Sequence, residues 1–153
     1  MQQTIEVGTA DFAVAKGDYV LESKGIGSCV VICLYGANQQ AGALCHIMLP
    51  KCPEATDLNP LRFADTAIPL ALKELERMGS YPDQLTAHLV GGASMFQGLG
   101  DFVNKIGSQN IAAVQQILTT VGIPITSMDV GGTKGKSVVF FLENGDVDIT
   151  SKM

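Results

Sequence analysis

Cys29-Val30-Val31-Ile32-Cys33-Leu34-Tyr35, then the polar Gly36-Ala37-Asn38-Gln39 and the second apolar run over residues 41–49, is the stretch that decides the fold. The first segment is β-branched and almost wholly apolar, the pattern of a buried strand, and a second such run across a polar turn makes the pair a β-hairpin. With a four-residue loop at 36–39, Tyr35 pairs with Gln40, and counting back along both strands sets Cys29 opposite His46. Directly opposed residues of an antiparallel pair share a face with Cβ atoms about 4.5–5.5 Å apart, within reach of a thiol–imidazole hydrogen bond. A loop one residue longer or shorter would put the two side chains on opposite faces.

Working outward, short β-type runs at 4–7, 12–15 and 19–22 precede Gly25-Ile26-Gly27-Ser28, which reads as a flexible approach to Cys29. Downstream, Asn59 caps a helix that starts at Pro60 and stops before Gly79. A strand over 85–90 ends at Gly91-Gly92. Ser108 then caps a second helix, with Ile111, Val114, Leu118 and Val121 as its apolar stripe and Gly122 as its stop. Strands at 123–130, 137–142 and 147–150 follow, the last two joined at Asn144-Gly145. Hairpins outnumber helical crossovers, so the expected class is α+β, a mixed α/β sandwich of hairpin-rich sheets with two main helices. With no repeat, low-complexity tract or charge block, residues 1–153 are expected to form a single domain.

Composition narrows the function. A formal charge of -5 and scattered basic residues argue against nucleic acid as a partner, because polyanion binding needs clustered Lys and Arg. The start lacks the basic and apolar stretches of a secretory signal, and no segment approaches the roughly 20 apolar residues that span a bilayer. The expectation is a cytoplasmic protein without membrane insertion. There Cys29, Cys33, Cys45 and Cys52 stay free thiols. The cysteines and His46 lack the C-x-x-C spacing of structural zinc sites, so neither metal nor cofactor is expected.

A thiol beside an imidazole has a chemistry of its own. The imidazole takes the thiol proton, the thiolate attacks a carbonyl carbon, and the imidazolium protonates the leaving amine. The glycines before Cys29 would let a backbone N–H meet the tetrahedral oxyanion. A Cys and a His on facing strands are equally at home as core residues, since free Cys is among the most buried residue types. Cys33 shares the face of Cys29, Cys45 points away from His46, and Cys52 lies on a loop. Gly131-Gly132-Thr133-Lys134-Gly135-Lys136-Ser137 has a nucleotide-binding look, but Val130 stands where a P-loop needs glycine and a strand follows. It reads as a surface turn offering Lys134 and Lys136 to an acidic partner. Gly91-Gly92-Ala93-Ser94 marks tight packing or a substrate groove.

Three strings in order, Gly25-Ile26-Gly27-Ser28-Cys29-Val30, Ala43-Leu44-Cys45-His46-Ile47-Met48-Leu49-Pro50 and Gly91-Gly92-Ala93-Ser94-Met95-Phe96, together resemble the CheD family over nearly the whole chain. The resemblance implies a protein-glutamine deamidase that converts glutamine to glutamate plus ammonia on the cytoplasmic domains of methyl-accepting chemotaxis receptors. It implies an α/β sandwich like that of bacterial cysteine–histidine deamidating toxins, with the family cysteine at Cys29 and the family histidine at His46. A family threonine maps to Ser23, where an exposed hydroxyl lacking the methyl would orient the imidazole through its side chain or its backbone carbonyl. The phosphatase CheC is the implied partner. Two readings follow: a deamidase acting through a low-pKa, accessible Cys29, or a regulatory module that binds CheC and receptors without using its thiol.

Overall fold

The computed structural model describes residues 2–53, 59–94 and 101–151, with side chains from 105 onward in the last segment. Among the described residues nine strands and two α-helices form two sheets and a helical layer. The strands are β1 (Gln3–Glu6), β2 (Asp11–Lys16), β3 (Tyr19–Ile26), β4 (Val30–Gly36), β5 (Ala41–Ile47), β6 (Thr86–Gly91), β7 (Ile125–Val130), β8 (Lys136–Phe141) and β9 (Val147–Ser151). The helices are α1 (Ala64–Arg77) and α2 (Asp101–Val121). One sheet has the order β1-β3-β8-β9 and the other β2-β5-β4-β6-β7. Among the described residues seven strand pairings form, of which β1·β3 and β6·β7 are parallel and the rest antiparallel. The α+β class expected from hairpin-rich patterning is the one observed.

The unbroken apolar character of β4 and β5 has its cause in the layering. Val30, Ile32 and Leu34 of β4, with Ala43, Cys45 and Ile47 of β5, pack against Ala67, Ile68, Ala71 and Leu75 of α1 and Val114 and Leu118 of α2. Their alternates Val31, Cys33 and Leu44 pack between the sheets, with Leu21, Ile26, Val138 and Phe140. A strand covered on both faces has no position left for a solvated side chain. A polar residue such as His46 on β5 must therefore find a partner inside the molecule.

The hairpin turn lies one residue later than the sequence suggests. Gly36 pairs with Ala41, and the loop is 37–40, closed by Gln40 at φ 50°. Gly36 belongs to β4 because of packing: a Cβ there would come within 2.8 Å of Ser80 Oγ. The shift makes Val31, not Cys29, the residue opposite His46. Each strand slides by one, so parity survives, while Cys29 itself lies in a bend just before β4.

Two further expectations change. Residues 25 and 26 belong to β3, where a register shift against β8 between Ser23 and Ile26 takes up one residue, with Gly25 at φ +67°. The segment is therefore a β-bulge that bends the strand beside Ser23, not a loose approach. Ser108 does not cap α2, which already runs at Asp101; its hydroxyl donates to the Lys105 carbonyl at 3.0 Å. The helix starts earlier because its buried stripe includes Gly107 and Asn110. Asn59 does accept from Leu61 N, although it opens a 3-10 turn, Pro60–Arg62, ahead of α1.

Candidate active site

Ser23 of β3 and His46 of β5 lie in different sheets, and their side chains meet across the gap. Ser23 Oγ is 2.7 Å from His46 Nδ1 and 2.7 Å from the Val7 carbonyl oxygen. A hydroxyl has one proton, and a carbonyl can only accept. The Ser23 proton therefore goes to Val7, and Oγ accepts from Nδ1–H. That assignment fixes the tautomer and leaves a lone pair on Nε2. Ser23 is 0% exposed, so the expectation of an exposed, freely rotating hydroxyl is overturned: the sheet-to-sheet packing that buries Leu21 and Val138 also encloses it. Both hydrogen-bonding capacities are committed, which is what such burial requires.

His46 is also 0% exposed, and Nε2 has no hydrogen-bond partner among the described residues. Burial pulls its pKa from 6.5 down to about 4, so the ring is neutral at physiological pH. Cys29 sits just before β4, is half-buried, and lies diagonal to His46 rather than opposite. Its thiol is pushed above the ordinary value by burial, opposed by its own backbone N–H. The direction is opposite to the low-pKa thiolate expected from the sequence, and among the described residues no cation offsets desolvation of the sulfur. The thiol–imidazole hydrogen bond expected from the sequence is not made, since His46 Nε2 has no partner among the described residues. A protonated thiol and a neutral imidazole are a pair for proton transfer during attack, not a standing ion pair.

Backbone contacts hold Cys29 in place. Gly92 N donates to the Cys29 carbonyl at 2.7 Å, and Ala93 N to the Gly27 carbonyl at 2.9 Å. Gly91, at φ +112°, brings β6 so close that a Cβ would lie 2.3 Å from the Cys29 carbonyl oxygen. The Gly91-Gly92 pair is thus tight packing around the cysteine. Met95 and Phe96 of the same motif lie outside the described residues, as do residues 54–57 of the loop after β5.

Of the remaining sequence candidates, Cys33 and Cys45 are buried core thiols, and burial raises Cys45 to about 12. Cys52 is half-buried, its backbone N–H bonded to Asp65. The glycine-rich turn joins the end of β6 through Gly131 N to Gly91 O at 2.9 Å and Ser94 N to Gly132 O at 2.9 Å. It lines a cavity of about 390 Å³ with Asp129, Lys134 and Ser151. Lys136 is not available to a partner, because it is only 8% exposed and pairs with Asp129. Among the described residues no group of three or more His, Cys, Asp or Glu side chains could hold a metal, and no helix is long and apolar enough to cross a membrane.

One residue was missed. Asn110 of α2 is 0% exposed and donates to both the Ser28 carbonyl (3.0 Å) and the Met48 carbonyl (2.8 Å). Its signal was present in the sequence, since Asn110, Val114 and Leu118 recur at helical spacing, and an amide on a core stripe needs internal partners.

A family model described as CheD chemotactic sensory transduction matches residues 48–151, starting two residues beyond His46. Relatives extend the likeness over the earlier segment. A protein from Desulforamulus reducens named "Probable chemoreceptor glutamine deamidase CheD" is 43% identical over 147 residues, 95% of this chain and 89% of that protein. Proteins of the same name from Clostridium novyi and Clostridium kluyveri are 41% and 42% identical, each over 95% of this chain and 91% of their own length. With a family match over most of its length and relatives this similar from end to end, the chain belongs to the CheD family.

Proposed function

We propose that this protein is a single-domain chemoreceptor glutamine deamidase that uses Cys29 as nucleophile, His46 as general base and acid, and Ser23 as the group that orients His46. The observation that carries the reading is the buried Val7–Ser23–His46 chain, which fixes the Nδ1–H tautomer and leaves Nε2 unpartnered among the described residues. Nε2 takes the thiol proton as Cys29 sulfur attacks the glutamine amide carbon. The C–N bond then breaks, and His46 returns that proton to the departing ammonia. Water, activated by His46, hydrolyses the thioester to glutamate and regenerates the thiol. The Cys29 N–H, given to no backbone carbonyl among the described residues, would stabilise the oxyanion.

The substrate reading comes from the relatives' printed name, and action on the cytoplasmic domains of chemoreceptors would make this a cytoplasmic protein. The CheC phosphatase is the proposed regulatory partner. A second reading, a CheC- and receptor-binding module that does not use its thiol, draws on the protonated state of Cys29 at rest. Mass spectrometry of a receptor cytoplasmic domain incubated with wild type or Cys29→Ala separates them. Amide-to-acid conversion only with wild type supports the deamidase, whereas no conversion by either, with CheC still bound, supports the module.

A further inference from the structure

The β4–β5 ladder stops one step short of Cys29. Its last pair is Val30 and Ile47, and the next would be Cys29 with Met48. That pair does not form, and both backbone groups of Met48 are bonded elsewhere. Met48 N donates to the Arg62 carbonyl at 2.8 Å, and the Met48 carbonyl accepts from Asn110 Nδ2 at 2.8 Å. The same Nδ2 donates to the Ser28 carbonyl at 3.0 Å. The orientation of this amide is not ambiguous, since both partners are carbonyls and only the NH₂ end can serve them. Its Oδ1 is buried without a partner among the described residues. The two donated bonds are therefore what hold Asn110 between the strands.

We infer that Asn110 is a positioning residue for the reaction: its amide wedges between the Ser28 and Met48 carbonyls, linking the residue before the nucleophile to the end of the strand that carries His46. This rests on the deamidase reading of Cys29 and His46. The wedge fixes the spacing between the Cys29 loop and the end of β5, and so the path from sulfur to Nε2. The Cys29 backbone itself faces β6, its carbonyl accepting from Gly92 N, and the wedge does not touch it. Asn110 touches neither substrate nor reacting atoms in this scheme; it acts through the backbone of Ser28 and Met48.

The test uses the full chain and a chemoreceptor cytoplasmic domain. Wild type, Asn110→Leu, Asn110→Ser and Cys29→Ala are assayed below their melting temperatures for kcat and KM, with iodoacetamide alkylation of Cys29 followed against pH. Loss of the wedge should lower kcat by about 100-fold in Asn110→Leu, the scale of a misplaced reacting group, with KM within about twofold. Asn110→Ser, which keeps one donor, should lose roughly tenfold. The alkylation midpoint of Cys29 should move upward in both. A folded Asn110→Leu with wild-type kcat and an unmoved midpoint would overturn the inference. So would loss of activity that merely tracks the melted fraction, or failure of both variants to fold, either of which makes Asn110 a stability residue only. If Cys29→Ala is as active as wild type, the deamidase assignment fails instead, and the alkylation midpoint alone decides whether Asn110 positions Cys29.

Discussion

The molecule holds two juxtapositions of a cysteine with a histidine, and the better aligned one is not the candidate site. Cys33 of β4 lies directly opposite His88 of β6, on one face between the sheets. Cys29 and His46 are only diagonal. Yet Cys33 is mid-strand and 1% exposed, its thiol pushed far up by burial. His88 Nε2 is unpartnered among the described residues, and burial lowers the ring's pKa against a smaller opposing pull from Asp129. Among the described residues no serine is seen to fix its tautomer in the way Ser23 fixes that of His46. Proximity on a sheet is common and inert. What distinguishes the Cys29 end is a half-buried thiol beyond the last ladder pair and an imidazole with one nitrogen committed and the other unpartnered among the described residues.

The largest test of this contrast is paired nucleophile removal. Cys29→Ala should lower receptor deamidation by about 10⁴-fold or more, whereas Cys33→Ala should leave kcat within about twofold and cost ~1 kcal/mol of stability from the lost core atom. Next comes the orienting hydroxyl. Ser23→Ala leaves the Nδ1–H buried without an acceptor and frees the tautomer, so kcat should fall by roughly 10²-fold, with about 1–3 kcal/mol of stability lost on thermal melting. Ser23→Thr keeps the hydroxyl and should keep most of the activity.

Acid titration follows in size. The His46 pKa is about 4 when folded against 6.5 when not, so between these values the unfolded chain binds a proton that the folded chain refuses. Stability from this residue is complete above pH 6.5 and is lost as the pH falls toward 4, by ~3 kcal/mol. His46→Gln should flatten that part of a melting-temperature profile. The smallest effect is on thiol labelling at neutral pH, where Cys33 and Cys45 should stay unmodified, Cys52 should react, and Cys29 should react only slowly until the pH approaches its raised pKa. Peptide mapping after timed alkylation reads all four.

Much of this was legible in the residues, for reasons that are themselves physical. The continuous apolar runs of β4 and β5 announced strands covered on both faces, and Gly79, Gly122 and Asn144-Gly145 marked ends that the structure keeps. Parity was also legible, and the slip by one residue on each strand leaves it unchanged, with Val31 rather than Cys29 opposite His46. The slip arose because Gly36 looked like a turn residue when its lack of a side chain serves contact with Ser80, a contact no local pattern reveals. The burial of Ser23 was invisible for the same reason, since it depends on how two sheets stack. Asn110 was visible as a polar residue on a core stripe, but its partners Ser28 and Met48 lie 82 and 62 positions away. Pairings at that separation are fixed by topology.

The most direct test of the central claim is to trap the reaction at its midpoint. Acid-quenching the protein during turnover of a receptor glutamine peptide and mapping the adduct should place the acyl group on Cys29 alone, with Ser23→Ala lowering the rate at which it forms. An adduct on Cys33 or Cys52, or steady ammonia release with Cys29→Ala, would contradict the account.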